Sequence, residues 1–309
     1  MSKFIVTGGA GFIGCHVVSE LIKRKHKVVA IDDLSSGNKA NLSGNLSKIK
    51  FIKGSITDFN LLKKAFKGCD YAIHLAALVS VPESVLDPIS YHKVNVTGTF
   101  NVLEAARVSK VKKAVLASSS AAYGQMSSRP IKENRAMKPI SPYGESKLIN
   151  EKYAQMYYEV YKMPTVCLRF FNVYGPKQSL KSNYASVIPK FASSMQKGQR
   201  PPIHGTGRQY RDFVYVADVV NAIMLSVKSK KANGLSLNVA SGKTYRVIDI
   251  VKEMNKLINT DIKPDYTPPR PGDVFATKAD ISLIKKTVGY KPKVNFKEGL
   301  KKTLKYYKG

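Results

Sequence analysis

Short apolar runs alternate with amphipathic stretches along the first half of the chain. Lys3–Thr7 (KFIVT) is followed by Gly8-Gly9-Ala10-Gly11-Phe12-Ile13-Gly14, then by an amphipathic stretch to about Lys25. Val28–Ile31 is a second apolar run, ending in Asp32-Asp33. Lys50–Lys53, Tyr71–Leu75, Lys112–Ser118, Pro164–Phe171 and Leu235–Ala240 read as further strands, with helical spacing at about 59–67, 90–109 and 143–162. Runs of this kind suit strands covered on both faces. Their alternation with helices predicts an α/β fold built on a parallel, doubly wound sheet, with ligands at the strands' carboxyl ends.

From about Val173 glycine and proline become frequent, and helical patterns at about 183–197, 245–259, 278–287 and 297–307 are separated by loops. This predicts a smaller, mixed α/β C-terminal substrate domain. The expected division is 1–172 for the first domain, which also receives 213–243, and 173–309 for the second, discontinuous one.

The glycine turn adds chemistry. Gly9, Gly11 and Gly14 satisfy G-x-G-x-x-G, while Gly8, Gly11 and Gly14 satisfy G-x-x-G-x-x-G; Asp32 follows Gly14 by 18 residues. Strand, glycine turn, helix, strand and acid form the Rossmann-type dinucleotide unit. Glycines let the backbone approach a pyrophosphate, the helix N-terminus stabilises its charge, and the acid accepts from ribose hydroxyls. No arginine follows Asp32 at once to meet a 2′-phosphate, which favours NAD over NADP. A second unit is Ser141-Pro142-Tyr143-Gly144-Glu145-Ser146-Lys147, where a hydroxyl residue and a proline open a helix. Tyr143 and Lys147, four apart, share a face, and an ammonium there would favour the phenolate. Taken alone, the pair also fits an ordinary surface contact.

Composition narrows the class. The 309 residues, 43% of them hydrophobic, describe a soluble globular chain without a run long enough to span a membrane. Met1-Ser2-Lys3 passes directly into Phe4-Ile5-Val6, without signal-peptide features. Cys15, Cys69 and Cys167 are widely spaced, and the five histidines are scattered. A reducing, cytoplasmic setting and no metal site are expected. Lys plus Arg is 51 against 21 Asp plus Glu, a net charge of +30. Nucleic-acid binding, attraction for a small polyanion and a lysine-coated solvated surface all fit that number. Dispersal from Lys3 to Lys308 favours the last, with no dedicated nucleic-acid partner.

The ordered motifs together resemble the extended short-chain dehydrogenase/reductase family, and within it the NAD-dependent nucleotide-sugar epimerases of the UDP-glucose/UDP-galactose type. They include Thr7–Gly14 (TGGAGFIG), His74-Leu75-Ala76-Ala77, Asn95-Val96-Thr97-Gly98-Thr99, Ser118–Gly124 (SSSAAYG), Tyr143–Lys147, Leu168–Pro176 (LRFFNVYGP), Arg211–Val216 (RDFVYV) and Arg270-Pro271-Gly272-Asp273. The resemblance implies Tyr143 as catalytic base and acid. Lys147 would bind the nicotinamide ribose and lower the tyrosine's pKa. The family's catalytic Ser/Thr stands four residues before the tyrosine of its Y-G turn; with Tyr123-Gly124 in that turn, this selects Ser119, with Ser120 beside it. NAD contacts are implied for Gly8, Gly11, Phe12, Ile13, Gly14, Asp32, Ser35, Gly37, Ile56, Leu75, Ala76, Ala77, Asn95 and Phe171, besides Tyr143 and Lys147. Many relatives carry an acid where this chain has Ser55; a hydroxyl can still accept that hydrogen bond. Substrate contacts are implied for Ser80, Ser119, Ser120, Tyr143, Asn172, Arg211, Arg270, Asp273 and Thr277, the two arginines suiting a diphosphate. A salt bridge to Asp212 or Asp218 is the plainer reading of Arg211. A homodimer is the family expectation.

The family's 4,6-dehydratases carry an Asp-Glu pair after the catalytic Thr, and its decarboxylases usually a Glu. This chain has Ser120 and Ala121. A plain UDP-hexose 4-epimerase is therefore expected, by C4 oxidation, turning of the 4-keto sugar and re-reduction. The small Thr277, where a tyrosine narrows the pocket in the family, leaves the N-acetylhexosamine pair open. UDP-glucuronate 4-epimerisation is the neighbouring alternative. A non-catalytic NAD-binding or nucleic-acid-binding protein is the alternative of another class.

Overall fold

A computed structural model describes residues 1–125, 129–180, 186–269 and 276–308. Arg270 and Asp273 lie outside the described residues. The first half builds β1 (Lys3–Thr7), α1 (Phe12–Lys23), β2 (Lys27–Asp32), β3 (Lys50–Lys53), α2 (Phe59–Phe66) and β4 (Tyr71–His74). Two short helices follow, α3 (Val81–Leu86) and α4 (Pro88–Tyr91); α4 continues through a π-helical stretch, His92–Thr97, into α5 (Gly98–Val108). Next come β5 (Lys113–Ser119), α6 (Pro142–Tyr161), β6 (Thr165–Phe170) and β7 (Asn172–Tyr174). The remainder contains α7 (Val187–Gln196), β8 (Pro202–His204), β9 (Tyr210–Tyr215), α8 (Val216–Lys228) and β10 (Leu235–Val239). It ends with β11 (Thr244–Arg246), α9 (Val247–Ile258), β12 (Asp265–Thr267), α10 (Ser282–Val288) and α11 (Phe296–Tyr307).

Seven strands form one parallel sheet in the order β10-β6-β5-β4-β1-β2-β3. The chain reverses direction across the sheet between β1 and β4, the Rossmann switch point where a crevice opens. Val17, Val18 and Leu21 of α1 and Val219 and Ile223 of α8 cover one face. Leu62 of α2, Leu103 of α5 and Ala154 and Tyr157 of α6 cover the other. Burying a leucine such as Leu21 or Leu103 completely contributes about 2 kcal/mol. A third apolar cluster joins α7, α9 and α11 to the small β11-β9-β7 sheet, while β12 and β8 form a separate pair. These small sheets and flanking helices make up the mixed second unit.

Helix starts follow local chemistry. Ser141 Oγ accepts from Gly144 N at 3.1 Å and Pro142 occupies the first turn, so α6 begins where its sequence directs. It stops at Lys162, whose φ of 54° leaves the helical region. The structure adds α8 and five three- to six-residue strands to a region where helices and loops are expected. α8 carries Val216, Val219, Val220, Ile223, Met224 and Val227 at helical spacing, all buried. Strands such as β7 are too short for alternation to register and depend on a distant partner, Asn172 pairing with Phe213.

Candidate active site

The crevice is built from backbone first. Gly8 has φ 70°, and a Cβ there would lie 2.7 Å from Ala76 N; one on Gly14 would overlap Gly8 O. Gly11 N donates to Gly8 O at 3.1 Å, and Gly11 begins α1 without any side-chain cap. The first-turn N–H groups, Phe12 and Ile13 included, are thus left for an anion beside a surface with no side chain in the way. That cradle fits a dinucleotide pyrophosphate.

Asp32 ends β2. Its carboxylate accepts from Ala10 N and Leu34 N, both at 2.9 Å, and burial pushes its pKa up. Gly37 lies against it so closely that a Cβ would sit 2.6 Å from Oδ1. Ser35 is turned aside: its N and Oγ both donate to Asp33 Oδ1. Ser55 shares a hydrogen bond with Thr57 Oγ1 at 2.9 Å, and Ile56 is buried beneath Gly98. Leu75, Ala76 and Ala77 form the half-buried loop after β4, with Leu75 N donating to Thr7 O. Phe171 is buried and donates its N–H to Val239 O.

Asn95 is fully buried in the π-helical stretch. Its amide accepts from Leu78 N at 2.8 Å and donates to Leu78 O and Ser146 Oγ. It therefore holds the loop after β4 against α6. His74, quoted in its motif but given no role there, has ring nitrogens that meet Thr7 Oγ1 at 2.7 Å and Thr99 Oγ1 at 2.9 Å. Burial, then Lys147, drives its pKa down to about 3 and keeps it neutral.

Ser119 ends β5 and accepts from Ala121 N at 3.1 Å, and its hydroxyl acts on the Tyr143 phenol, opposing the effect of burial. Lys147 Nζ donates to Ala117 O at 3.1 Å and stands 5.7 Å from the Tyr143 ring centroid. The three expected catalytic side chains are thus brought together. Their electrostatics differ from the expectation that Lys147 lowers the tyrosine's pKa. Burial raises it, and the opposing influence is the Ser119 hydrogen bond. Burial also pushes Lys147 down to about 8, with Cys167 and Glu151 acting the other way. At 4% exposure for Lys147 and 9% for Tyr143, desolvation outweighs a lysine-to-ring separation of 5.7 Å.

Beneath Ser119 lies a polar network. Ser118 Oγ donates to Glu151; Arg169 forms a buried pair with Glu151 at 2.7 Å and donates to Tyr123 Oη, also at 2.7 Å. Tyr123 Oη in turn donates to Asn238 Oδ1. These bonds pin both ends of the turn from Ser119 to Gly124. Glu151 stands four residues after Lys147 on the same helix face, the one sequence signal that points to it.

Ser80 caps α3, accepting from Glu83 N at 3.3 Å, and its own N–H donates to Tyr91 Oη. Tyr91 meets Tyr143 edge-on at 6.5 Å. Ser120, half-buried, opens the 3₁₀ turn Ser120–Tyr123. Asn172 Nδ2 donates to Asp212 O and Thr277 Oγ1, each at 3.1 Å. Arg211, on the strand that pairs with β7, is 8% exposed and donates to Tyr210 O. Asp212 and Asp218 are engaged by backbone donors: Ser241, Gly242 and Ala279 for the first, Lys293 and Val294 for the second. Among the described residues no group of three or more His, Cys, Asp or Glu side chains is placed to hold a metal ion.

The family model described as GDP-mannose 4,6 dehydratase matches residues 5–303. A UDP-N-acetylglucosamine 4-epimerase from Methanobrevibacter ruminantium M1, solved with UDP-N-acetylmuramic acid, is 40% identical, with 99% of this chain and 98% of that one covered and a TM-score of 0.95. The Thermus thermophilus UDP-glucose 4-epimerase solved with NAD is 32% identical over 99% of each chain, with a TM-score of 0.92. The UDP-glucose 4-epimerase of Mycolicibacterium smegmatis is 35% identical, covering 99% of this chain and 98% of its own. The glycine cradle, the Ser119–Tyr143–Lys147 cluster and these end-to-end matches agree: the chain belongs to the extended short-chain dehydrogenase/reductase family, in its NAD-dependent nucleotide-sugar epimerase and dehydratase branch.

Proposed function

We propose that the chain is an NAD-dependent 4-epimerase of UDP-hexoses, interconverting UDP-glucose and UDP-galactose and accepting the N-acetylhexosamine pair. One observation carries the choice of epimerase over dehydratase. Ser120 and Ala121 follow Ser119, and neither can act as the acid or base that eliminating water across C5–C6 requires. Glu151, the carboxylate nearby on α6, is tied to Arg169 and Ser118. The N-acetyl reading is supported by the small Thr277 and by the N-acetylated substrate class of the Methanobrevibacter relative.

Bound NAD supplies the hydride acceptor and donor. The Gly8–Gly14 cradle and Asp32 would hold its pyrophosphate and ribose, and Lys147 would meet the nicotinamide ribose. Tyr143 Oη would take the sugar 4-hydroxyl proton as phenolate, directly or through Ser119 Oγ, and return it after the 4-keto sugar has turned over. Burial alone opposes that ionisation, and the positive charge of bound NAD⁺ would favour it. Asn172 and Arg211, with Arg270, would hold the diphosphate, while the sugar end turns. The division of the chain at 172/173, with 213–243 returning to the first domain, belongs to the same reading; β10 at the edge of the large sheet supports it.

A homodimer would use α4–α5 and α6. Their outer face carries a cavity of about 290 Å³ lined by Ile89, Val96, Pro142 and Ile149, and Ile89 is 81% exposed. Light scattering that gives a monomer at working concentration rejects the dimer. The function is tested by incubating purified protein with UDP-glucose without added reductant and following UDP-galactose. Tyr143→Phe should keep the fold and lose turnover by roughly 10²–10⁴-fold. Wild-type turnover in that variant, or a 4-keto-6-deoxy product from the native enzyme, overturns the assignment.

A further inference from the structure

Beyond the few basic residues assigned to the site, the net charge of +30 is carried elsewhere on the chain, and the fold brings part of it to one end. In a parallel sheet every strand begins at the end opposite the ligand crevice, and the covering helices finish there. Four strands of the large sheet start with lysine: Lys3, Lys27 and Lys50, and Lys113, which is buried. Around α1 the end carries Lys23, Arg24 and Lys25, all exposed. Beyond α2 and α5 stand exposed Lys67 and Lys110; α6 ends at Lys162 and α8 at Lys228, with Lys230 and Lys231 next. Cations at helix C-termini complement the macrodipole, which gives one local reason for each. Together they make a face.

Two contacts link parts of this end. Lys3 Nζ donates to Lys67 O at 3.0 Å, and Lys113 Nζ reaches Ser229 O at 2.7 Å. Burial raises the Cys69 thiol; Lys3 pulls it back, Asp70 adds to the rise, and Lys50 pulls it back again. Burial lowers His26, and the N-terminus, Arg24 and Lys228 lower it further. Lys3 and Lys50 thus both act on Cys69, and Arg24 and Lys228 both act on His26. Several acids at this end are paired, Glu20 to Arg24, Asp70 to Lys112 and Glu104 to Arg107, while Glu159 near the end of α6 is exposed. The face lies six residue steps of β5 from Ser119, roughly 20 Å, so contact there leaves the crevice open.

We propose that this strand-N-terminal face docks the protein on an anionic lipid surface. Seven strands about 4.8 Å apart make it broad rather than a groove, matching a plane. Its charges are almost all lysine, flexible point charges suited to lipid headgroups, whereas reading of bases and phosphates favours arginine forks. Its rim exposes Val108 at the end of α5 and Tyr161 at the end of α6, at the margin of the helices proposed for the homodimer, with Arg107, itself paired to Glu104, stacked 4.8 Å over the Tyr161 ring. An aromatic and an aliphatic side chain beside lysines are the groups that settle at a headgroup boundary.

The test uses the full chain and sedimentation with vesicles of phosphatidylcholine alone or with about 30% phosphatidylglycerol. Binding is expected only to the anionic vesicles, falling at least about tenfold when salt is raised from about 50 mM to about 500 mM. Lys25→Glu, Lys67→Glu, Lys110→Glu and Lys231→Glu together should abolish it while leaving the melting temperature and solution activity unchanged. The same number of reversals on and near α11, at Lys291, Lys301, Lys305 and Lys308, should reduce it only slightly. Equal loss from both sets, or equal binding to neutral vesicles, overturns the proposal. So does duplex DNA that binds more tightly than the vesicles and depends on the same four lysines.

Discussion

Thr277 holds Asn172 in place: its buried hydroxyl accepts the Asn172 amide at 3.1 Å and, on the same oxygen, the Asp212 N–H at 3.2 Å. Thr277 is thus more than a small residue at a pocket wall. Thr277→Val keeps the volume and removes the acceptor, leaving two donors unsatisfied at about 1–3 kcal/mol. The expected outcome is a KM for the UDP-sugar several-fold higher with kcat less affected, measured by steady-state kinetics. Equal kinetic constants in the variant would mean Asn172 needs no such support. Thr277→Tyr changes both size and hydrogen bonding, so the two variants together separate pocket width from positioning.

Gly14→Ala places a methyl group on Gly8 O, so the turn must open. Retained NAD, read from the absorbance of the purified protein, should fall, with affinity lower by at least about tenfold, or 1.4 kcal/mol. Thermal unfolding should still be cooperative.

Breaking the buried Glu151–Arg169 pair from one side leaves a desolvated charge. Glu151→Gln should cost about 3–5 kcal/mol in chemical denaturation. Adding Arg169→Met should restore much of that stability. Turnover should stay low in the double variant, because Ser118 and Tyr123 lose the partners that fix the turn after Ser119.

Asp212 lies at the centre of a latch between β9, the loop after β10 and Ala279. Burial raises its pKa to about 6, against 3.8 for the unfolded chain, despite four hydrogen bonds. Between those values the folded protein binds more protons than the unfolded one, so this group's contribution is present below the window and lost as pH rises through about 6. Asp212→Asn, which also turns an N–H₂ toward backbone donors, should melt lower than wild type at pH 7. The gap in melting temperature should widen as pH is lowered from 7 to 5; a constant gap would show that Asp212 does not titrate there.

Much of this was readable along the chain because it is local. The strand boundaries fall within about one residue of the apolar runs, the capping of α6 follows from Ser141 and Pro142, and the glycine turn announces itself by spacing. Asn95 and Ser35 were legible as positions but not as contacts, since their partners, Leu78 and Asp33, belong to loops whose path no periodicity describes. Glu151 and Arg169 were not singled out at all: they pair 18 residues apart, across a helix and a strand.

The sequence by itself determined the sheet's layering, the dinucleotide cradle and the placing of Tyr143 and Lys147 on one helix face, because covalent spacing and hydrophobic period act over a few residues. That Ser119 joins them was only implied by the family resemblance, since it comes from a strand 24 residues earlier. Tertiary structure alone set the local environment of Tyr143 and Lys147. Desolvation depends on everything packed around a side chain, and it overrode the simple attraction between Lys147 and Tyr143, raising the tyrosine's pKa and holding the lysine near 8. Structure alone also collected the lysines at one end, since only a folded parallel sheet brings the starts of its strands and the ends of its helices to the same face.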